Sequence, residues 1–450
     1  MLTAPPVSAG DDSLPAAAAL TYHDAVRQAL AAPTVALAQR ALELAKRQLA
    51  IASAPVRGEL SGGYRWTSGE RDPGVGEVID LSTQGFDPIG LTLTSPILGL
   101  GPAGDAIERA RADVRRAEAE VANAQRAAVI EVTAAFQGVV RAAESAALAE
   151  AEAELAALER RAGELRAAAG AATANEVARL ANAEARAQQA LQSAAFEQRS
   201  AQRSLELALG VPVAAVEPGL PHPAALLARG LDPLWESRSD VLAATLNLAD
   251  TARSASATLR EQLPSLSISV VHASGDADRS LQVAGAFDTR SLQPSLSISY
   301  DPDSGVPGVG PDGSSRSLSL GLALRVPLDP SVGHALSAAR IASERAEAQL
   351  ELVRARAELE VERREIEFVR ALNDADFAAR SAELALAELT NAEARFSAGT
   401  LSELAINRAR LDVQRALLDL ERTRDAARLA ALRLLDALAA DPTTLTNAQE

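Results

Sequence analysis

The chain of 450 residues contains no cysteine. That excludes zinc–thiolate sites, thiol nucleophiles and disulfides, and it leaves no cysteine in this chain to carry a lipid anchor. Aromatic residues make up only 3%, so a large conventional core is not expected; alanine, leucine and valine carry the apolar content. Lysine is almost missing: Lys46 is the single one, and every other base is arginine, which reads as GC-rich coding rather than as a binding site. The net charge is −16. That argues against nucleic acid as the main partner, because phosphate recognition needs clustered cations. No apolar run approaches the ~20 residues of a membrane-spanning helix. The N-terminus, MLTAPPVSAGDDSLPAAAAL, has no basic segment followed by an apolar one, so it does not read as a signal peptide. The expectation is either a cytoplasmic protein or a mature chain whose signal has been removed.

What is present is one plan, written twice. After an N-terminal extension (1–19), residues 20–210 read as a helix ending at Pro55, a strand in VRGELSGGYRW, a second strand in IGLTLTSPIL, a long helix over 102–168, a turn at Gly170 and a helix over 173–209. A Pro-rich connector (211–236) follows. Residues 237–440 repeat the order: a helix stopping at Pro264, strands within 264–326, a long helix over 331–396, a turn at Gly399 and a helix over 401–440, before a polar tail at 441–450. The repeat is too long for a solenoid unit and suits a duplicated domain.

Each long helix spans ~100 Å at 1.5 Å per residue and needs a partner along its length. Ile107, Val114, Val121, Ala128 and Ala135, with Ala110, Ala117 and Ala124, form an a/d seam rich in alanine. In the second copy Ile341, Ala348, Leu352, Ala355, Leu359, Ile366 and Val369 form a similar seam. Leu404, Leu411, Leu418 and Leu432 share one heptad position, interrupted by Asp425. Between the paired helices, Arg166-x-x-x-Gly170-x-x-Thr173 matches Arg395-x-x-x-Gly399-x-x-Ser402. Each glycine supplies a left-handed residue that ends one helix. Thr173 or Ser402 then caps the next, and Thr173-Ala174-Asn175-Glu176 reads as a capping box. Each motif is the tip of a long antiparallel hairpin.

The strand segments alternate leucine or isoleucine with serine or threonine, as in Leu91-Thr92-Leu93-Thr94, Leu266-Ser267-Ile268-Ser269, Leu296-Ser297-Ile298-Ser299 and Leu318-Ser319-Leu320. A soluble sandwich permits this pattern; a membrane barrel with lipid outside and water inside requires it. The helical seams are expected to be used by one another, which leaves no other apolar layer for the strands and favours the barrel.

The order of elements resembles the TolC-like outer membrane efflux proteins over residues 20–440. The residues that carry it are Leu20-Thr21, Asp24-Ala25 and Ala29-Leu30, then TSPIL at 94–98, LALGVP closing the first half, SRSDV at 237–241 and RFSAGTLSEL at 395–404. The resemblance implies a mainly α fold with a β-barrel part: duplicated coiled-coil hairpins plus strands of a barrel shared by a homotrimer, four per chain and twelve in all. It implies an outer membrane channel with a periplasmic helical part, serving as the passive exit duct of a tripartite efflux or type I secretion system. It further implies outer membrane lipid, a periplasmic adaptor and an inner-membrane transporter as partners, no cofactor and no enzymatic activity. The adaptor would dock around the tips, at Arg166, Gly170, Thr173, Arg395, Gly399 and Ser402. Candidate gate residues are Glu176, Arg179, Phe396, Glu403 and Arg408. A periplasmic coiled-coil adaptor or envelope protein without a pore is the alternative.

Three departures from the family pattern stand out. The segment Pro264–Pro327 is about 22 residues longer than Pro55–Pro96 and contains PSLSIS at 264 and again at 294, with LQVAGAF between; four membrane strands are nonetheless the expectation, against six. Aromatic girdle candidates are few: Tyr64, Trp66, Phe86, Phe287 and Tyr300. The positions where the family often carries an acidic ring hold Ala405 and Arg408 here, with Glu176 and Arg179 at the first tip and Glu403 out of register.

Other motifs carry little. GLGPAG (99–104) and GVGPDG (308–313) match a dinucleotide fingerprint, but no βαβ unit surrounds them. His23, His222, His272 and His334 have no ligand-spaced partners. The carboxylates lie among arginines on helix faces and read as solvated i,i+4 pairs. Arg166 and Arg395 also suit the negative end of a helix dipole, and Phe396 suits packing against a neighbouring hairpin.

Overall fold

The computed structural model describes residues 19–67, 70–71, 79–80, 83–95, 101–221, 237–276, 278–302, 313–327 and 331–440. Most of the N-terminal extension and of the Pro-rich connector, the tail, His222 and most of GVGPDG lie outside them. The elements are α1 (Tyr22–Ala29), α2 (Pro33–Ala52), β1 (Arg57–Thr67), β2 (Glu70–Arg71), β3 (Ile79–Asp80), β4 (Thr83–Thr94), α3 (Gly101–Ala168), α4 (Ala174–Leu209), α5 (Ser239–Gln262), β5 (Ser265–Gly275), β6 (Ser280–Asp288), β7 (Gln293–Asp301), β8 (Ser315–Arg325), α6 (Val332–Ser397) and α7 (Glu403–Ala437). They divide into two compact units.

The helical unit comprises Met1–Arg40, Ala119–Val241 and Arg354–Glu450. Its largest core gathers Tyr22, Val26, Val35, Val129, Val132, Phe136, Leu205, Leu209, Leu432 and Leu435 from α1, α2, α3, α4 and α7. Alanines at 25, 29 and 128 fill the gaps between them, and such small side chains let helix axes approach closely. The α7 heptad faces inward: Leu411, Leu418 and Leu432 are buried, and so is Asp425. Arg126 of α3 is buried as well and donates to Asp436 at 2.8 Å, while Arg238 links to Glu360 at 2.8 Å.

The seam expected along α6 is not used within the chain's described residues. Ile341, Leu352, Leu359, Ile366 and Val369 are all exposed, and Ala346, Leu350, Ala357, Phe368, Ala375, Ala378 and Ala382 are buried instead. α6 carries two apolar stripes, and the chain covers only the one richer in alanine. Small residues permit the closer axial approach, so they win the intrachain contact.

The second unit comprises Ala41–Glu118 and Leu242–Val353 and contains the strands. Ion pairs tie α5 to the start of α3: Asp250 with Arg109 at 3.2 Å, and Arg260 with Asp105. The sheet has the order β1-β4-β7-β6-β5-β8, with every neighbouring pair antiparallel. The sheet therefore has six strands per chain, where four membrane strands were expected, and β2 and β3 form a separate two-stranded pair. Both PSLSIS copies are strands, in β5 and β7, and LQVAGAF is β6 between them. The alternation of each copy supplies one apolar and one polar row, so the added hairpin fits the sheet between β4 and β5 without reversing any face.

Candidate functional site

Two features organise the candidate site: the faces of the sheet and the tips of the hairpins. Directly opposed residues share a face of a sheet. One row runs Leu324, Leu266 on β8 and β5 and a parallel row runs Leu322, Ile268, Phe287, Pro294; further along lie Leu91, Ile298 and Val283. The opposite face carries Ser267, Ser269, Ala284, Ala286, Ser295, Ser297, Thr92, Ser319 and Gly321. One face is thus mainly aliphatic, with His272 among its residues, and the other mainly small and polar, with Val271 among its residues. The aliphatic face is not covered by the chain's described residues: Leu318, Leu320, Leu322 and Leu324 are 68–76% exposed. Tyr64 and Phe86 pair edge-on across β1 and β4, with ring centroids 5.3 Å apart. The side chain of Trp66 lies outside the described residues.

The two tips are built alike. At the first, Gly170 has φ 72°; its N–H donates to Ala167 O at 2.9 Å, and Ala171 N–H donates to Arg166 O at 2.8 Å. At the second, Gly399 has φ 70°, with matching bonds from Gly399 N–H to Phe396 O at 2.9 Å and from Thr400 N–H to Arg395 O at 2.9 Å. This is the Schellman arrangement. A side chain at either glycine would be strained by the backbone alone. The recurring arginine falls where its own carbonyl accepts the outer bond. Thr173 Oγ1 then accepts from Glu176 N–H at 3.2 Å, and Ser402 Oγ accepts from Ala405 N–H at 3.3 Å. The carboxylate of Glu176 lies 3.5 Å from Arg166 Nη1, bridging α4 to α3 across the tip. Thr173→Ala and Ser402→Ala are each expected to cost about 1 kcal/mol of local stability, read as faster amide exchange in the first turns of α4 and α7.

The structure places the other candidate residues separately. Glu403 is exposed on the first turn of α7 and Arg179 on the second turn of α4, and Phe396 is 42% exposed. Arg408 faces another helix altogether: its Nε donates to Glu159 of α3 at 2.8 Å. One heptad further, Arg415 Nε donates to Glu152 at 2.9 Å. Those bonds hold the Arg415 guanidinium above its ordinary pKa. These two rungs join the second hairpin to the first. Sequence reading missed them as a set, although Glu152/Glu159 and Arg408/Arg415 are each seven apart, the spacing that puts both members of a pair on one helix face.

The remaining motifs are dispersed. His23 contacts Arg27 Nη2 at 2.8 Å on α1, His272 lies on β5 opposite Leu318 and Val283, and His334 lies at the start of α6. Among the described residues no three His, Asp or Glu side chains are grouped to hold a metal. Gly101 opens α3 with φ 64°, where a Cβ would come 3.0 Å from Ser291 O; close packing against that loop accounts for this glycine of GLGPAG.

No protein-family profile matches the chain, and no curated protein is similar to it. Solved structures are. The CmeC outer membrane channel of Campylobacter jejuni superposes with TM-score 0.64 at 15% identity, covering 95% of this chain and 90% of that one. The outer membrane protein VceC of Vibrio cholerae does so with TM-score 0.62 at 16% identity, covering 93% and 96%. The open state of the Neisseria gonorrhoeae MtrE outer membrane channel gives TM-score 0.60 at 15% identity, covering 93% and 89%. The chain has the TolC-like fold of the outer membrane channels.

Proposed function

We propose that the protein is an outer membrane efflux channel: a homotrimer whose sheets share one lipid-embedded barrel and whose helical hairpins form a periplasmic duct. The two-faced sheet is the observation that carries this reading. Its aliphatic face is exposed, and its other face is lined mainly by serine, threonine, glycine and alanine. Lipid outside and water inside ask for that division. No helix among the described residues is long and apolar enough to cross a membrane; in this reading the two-faced strands cross it.

Uncovered helix stripes support an assembly of copies. Leu37, Leu44 and Ile51 repeat every seven residues along α2 at 58–68% exposure, and Ile341, Leu352, Leu359 and Ile366 run along α6 at 45–65%. Stripes of this spacing pack against other helices, and the described residues of the chain leave them open.

The duct performs no covalent chemistry. It passes solute driven by an inner-membrane transporter, through a periplasmic adaptor that docks around Gly170 and Gly399. The closed state is held by tip and inter-hairpin contacts, Arg408–Glu159 and Arg415–Glu152 among them; opening swings the second hairpin away from the first and breaks them. Exposed ion pairs are individually weak, but two per chain repeated in three chains add up. Arg408→Ala with Arg415→Ala is expected to raise single-channel open probability about tenfold. Unchanged closure would remove these pairs from the gate. The assembly itself is tested by native mass after detergent extraction of membranes. A complex near three times 46.7 kDa, found only with detergent, is expected; a detergent-free monomer or dimer overturns the channel.

A further inference from the structure

Among the described residues the sheet ends in two unpaired edges, β1 and β8. Each is an 11-residue strand, and an open edge of that length invites pairing with another chain. The edge residues also show the missing neighbour. On the aliphatic face Leu60 of β1 is 75% exposed and Leu320 of β8 76%, whereas Leu91 and Ile268 on inner strands are 37% and 40%. With six strands alternating in direction, β8 of one copy runs antiparallel to β1 of the next, so a ring of copies closes without a parallel seam.

The register of that seam follows from the sheet. A line straight across the strands from Arg57 meets Thr94, Ser295, Ala286, Ser269 and Gly321 in turn. Gly321 lies four residues above the end of β8, so the line climbs relative to the strand ends, as it does in a tilted barrel. Barrel strands tilt by about 35–45°, and with strand spacings of ~4.8 Å and ~3.3 Å per residue a climb of six residues per six strands gives a tilt of about 35° and one of eight about 43°. Only even shifts keep the aliphatic rows on one face. A climb of four sets Arg325 opposite Arg57 of the next copy, like charge against like, and a climb of eight sets it opposite Ser61, with no charge to meet it. A climb of six sets Arg325 opposite Glu59, Leu324 opposite Leu60 and Leu320 opposite Tyr64. Neither Glu59 nor Arg325 has an ion-pair partner among the described residues of its own chain.

We infer, resting on the trimeric reading above, that three copies close an eighteen-stranded barrel by pairing β8 with β1 of the next copy, with Arg325 opposite Glu59. The barrel is then about one and a half times as wide as one built from four strands per copy, since diameter grows roughly linearly with strand number. The β6–β7 hairpin is the element that widens it, and the small residues of the polar face leave the lumen open.

The absence of cysteine makes the test direct. Glu59→Cys with Arg325→Cys, oxidised in the detergent-extracted complex, is expected to give covalent bands of two and three copies on a denaturing gel. Either single variant is expected to give none, and Arg57→Cys with Arg325→Cys to link at least fivefold more slowly. A three-copy complex without the 59–325 link, or with the faster link at 57–325, overturns this closure and leaves the channel standing. A complex of any other size overturns the trimer and the strand count together. Should the cysteine pair fail to assemble, Glu59→Arg and Arg325→Glu serve instead. Each alone is expected to weaken the complex against heating in detergent and the two together to restore it; no restoration overturns the pairing.

Discussion

Phe136→Ala is expected to destabilise the helical unit by about 3–5 kcal/mol, the range for removing a buried phenylalanine. The side chain is fully buried, at 0% exposure. Its ring meets Tyr22 edge-on, with centroids 5.7 Å apart, and the Tyr22 hydroxyl contacts Thr133 Oγ1 at 3.0 Å. Thr133 in turn donates to Val129 O at 2.7 Å. Deleting the ring therefore leaves a cavity and also loosens the tyrosine that pins α1 to α3. In a chain with 7 phenylalanines and 3 tyrosines, the alanines around the site cannot reach far enough to fill the space. Denaturant unfolding of the detergent-solubilised protein, followed by its helical signal, measures the loss. A change under about 1 kcal/mol would show that the neighbouring helices collapse into the gap, and that this cluster is not what fixes α1 against α3.

How far the sequence foretold this arrangement differs by element. The hairpin tips were legible because glycine and the capping hydroxyl act locally: Gly170, Gly399, Thr173 and Ser402 fix their turns through bonds within five residues. The α7 heptad was legible too, since one stripe there is distinctly richer in leucine. α6 was read only in part because it has two stripes. Periodicity shows which residues share a face, not which face meets a helix of the same chain. The six strands were visible as alternation, and the count of four came from the family pattern rather than from the residues. The rungs Glu159–Arg408 and Glu152–Arg415 join residues 249 and 263 positions apart; each spacing of seven was readable, but nothing in one sequence says which two helices will lie together.

Asp425 is the part of the fold whose behaviour should change with pH. It occupies a leucine position of the α7 heptad and is 5% exposed. Burial pushes its carboxyl up to about 6, against the pull of Arg428 and Arg141 and with a smaller push from Glu421. Arg428 Nη1 lies 2.7 Å from one carboxylate oxygen, and Arg141 of α3 is 4.0 Å from the other. Arg428 also donates to Pro221 O at 2.7 Å, so its charge is shared and only partly offsets the desolvation. A folded-state pKa above the unfolded value means that folding favours the protonated form. The contribution to stability is fully present below the unfolded pKa of 3.8 and is lost as pH rises through about 6. Its ceiling is about 3 kcal/mol for a shift of this size, and the step from pH 7.5 to pH 5 should recover about 1.4 kcal/mol of it. Glu144, raised by burial and by Glu421, works in the same direction. Asp425→Asn keeps the shape and removes the titration, so the gain in unfolding free energy between pH 7.5 and pH 5 should shrink by about 1.4 kcal/mol relative to the parent chain. If the parent and the variant show the same pH difference, the buried carboxylate is better compensated by its two arginines than its burial suggests, and the acid stabilisation belongs to other groups.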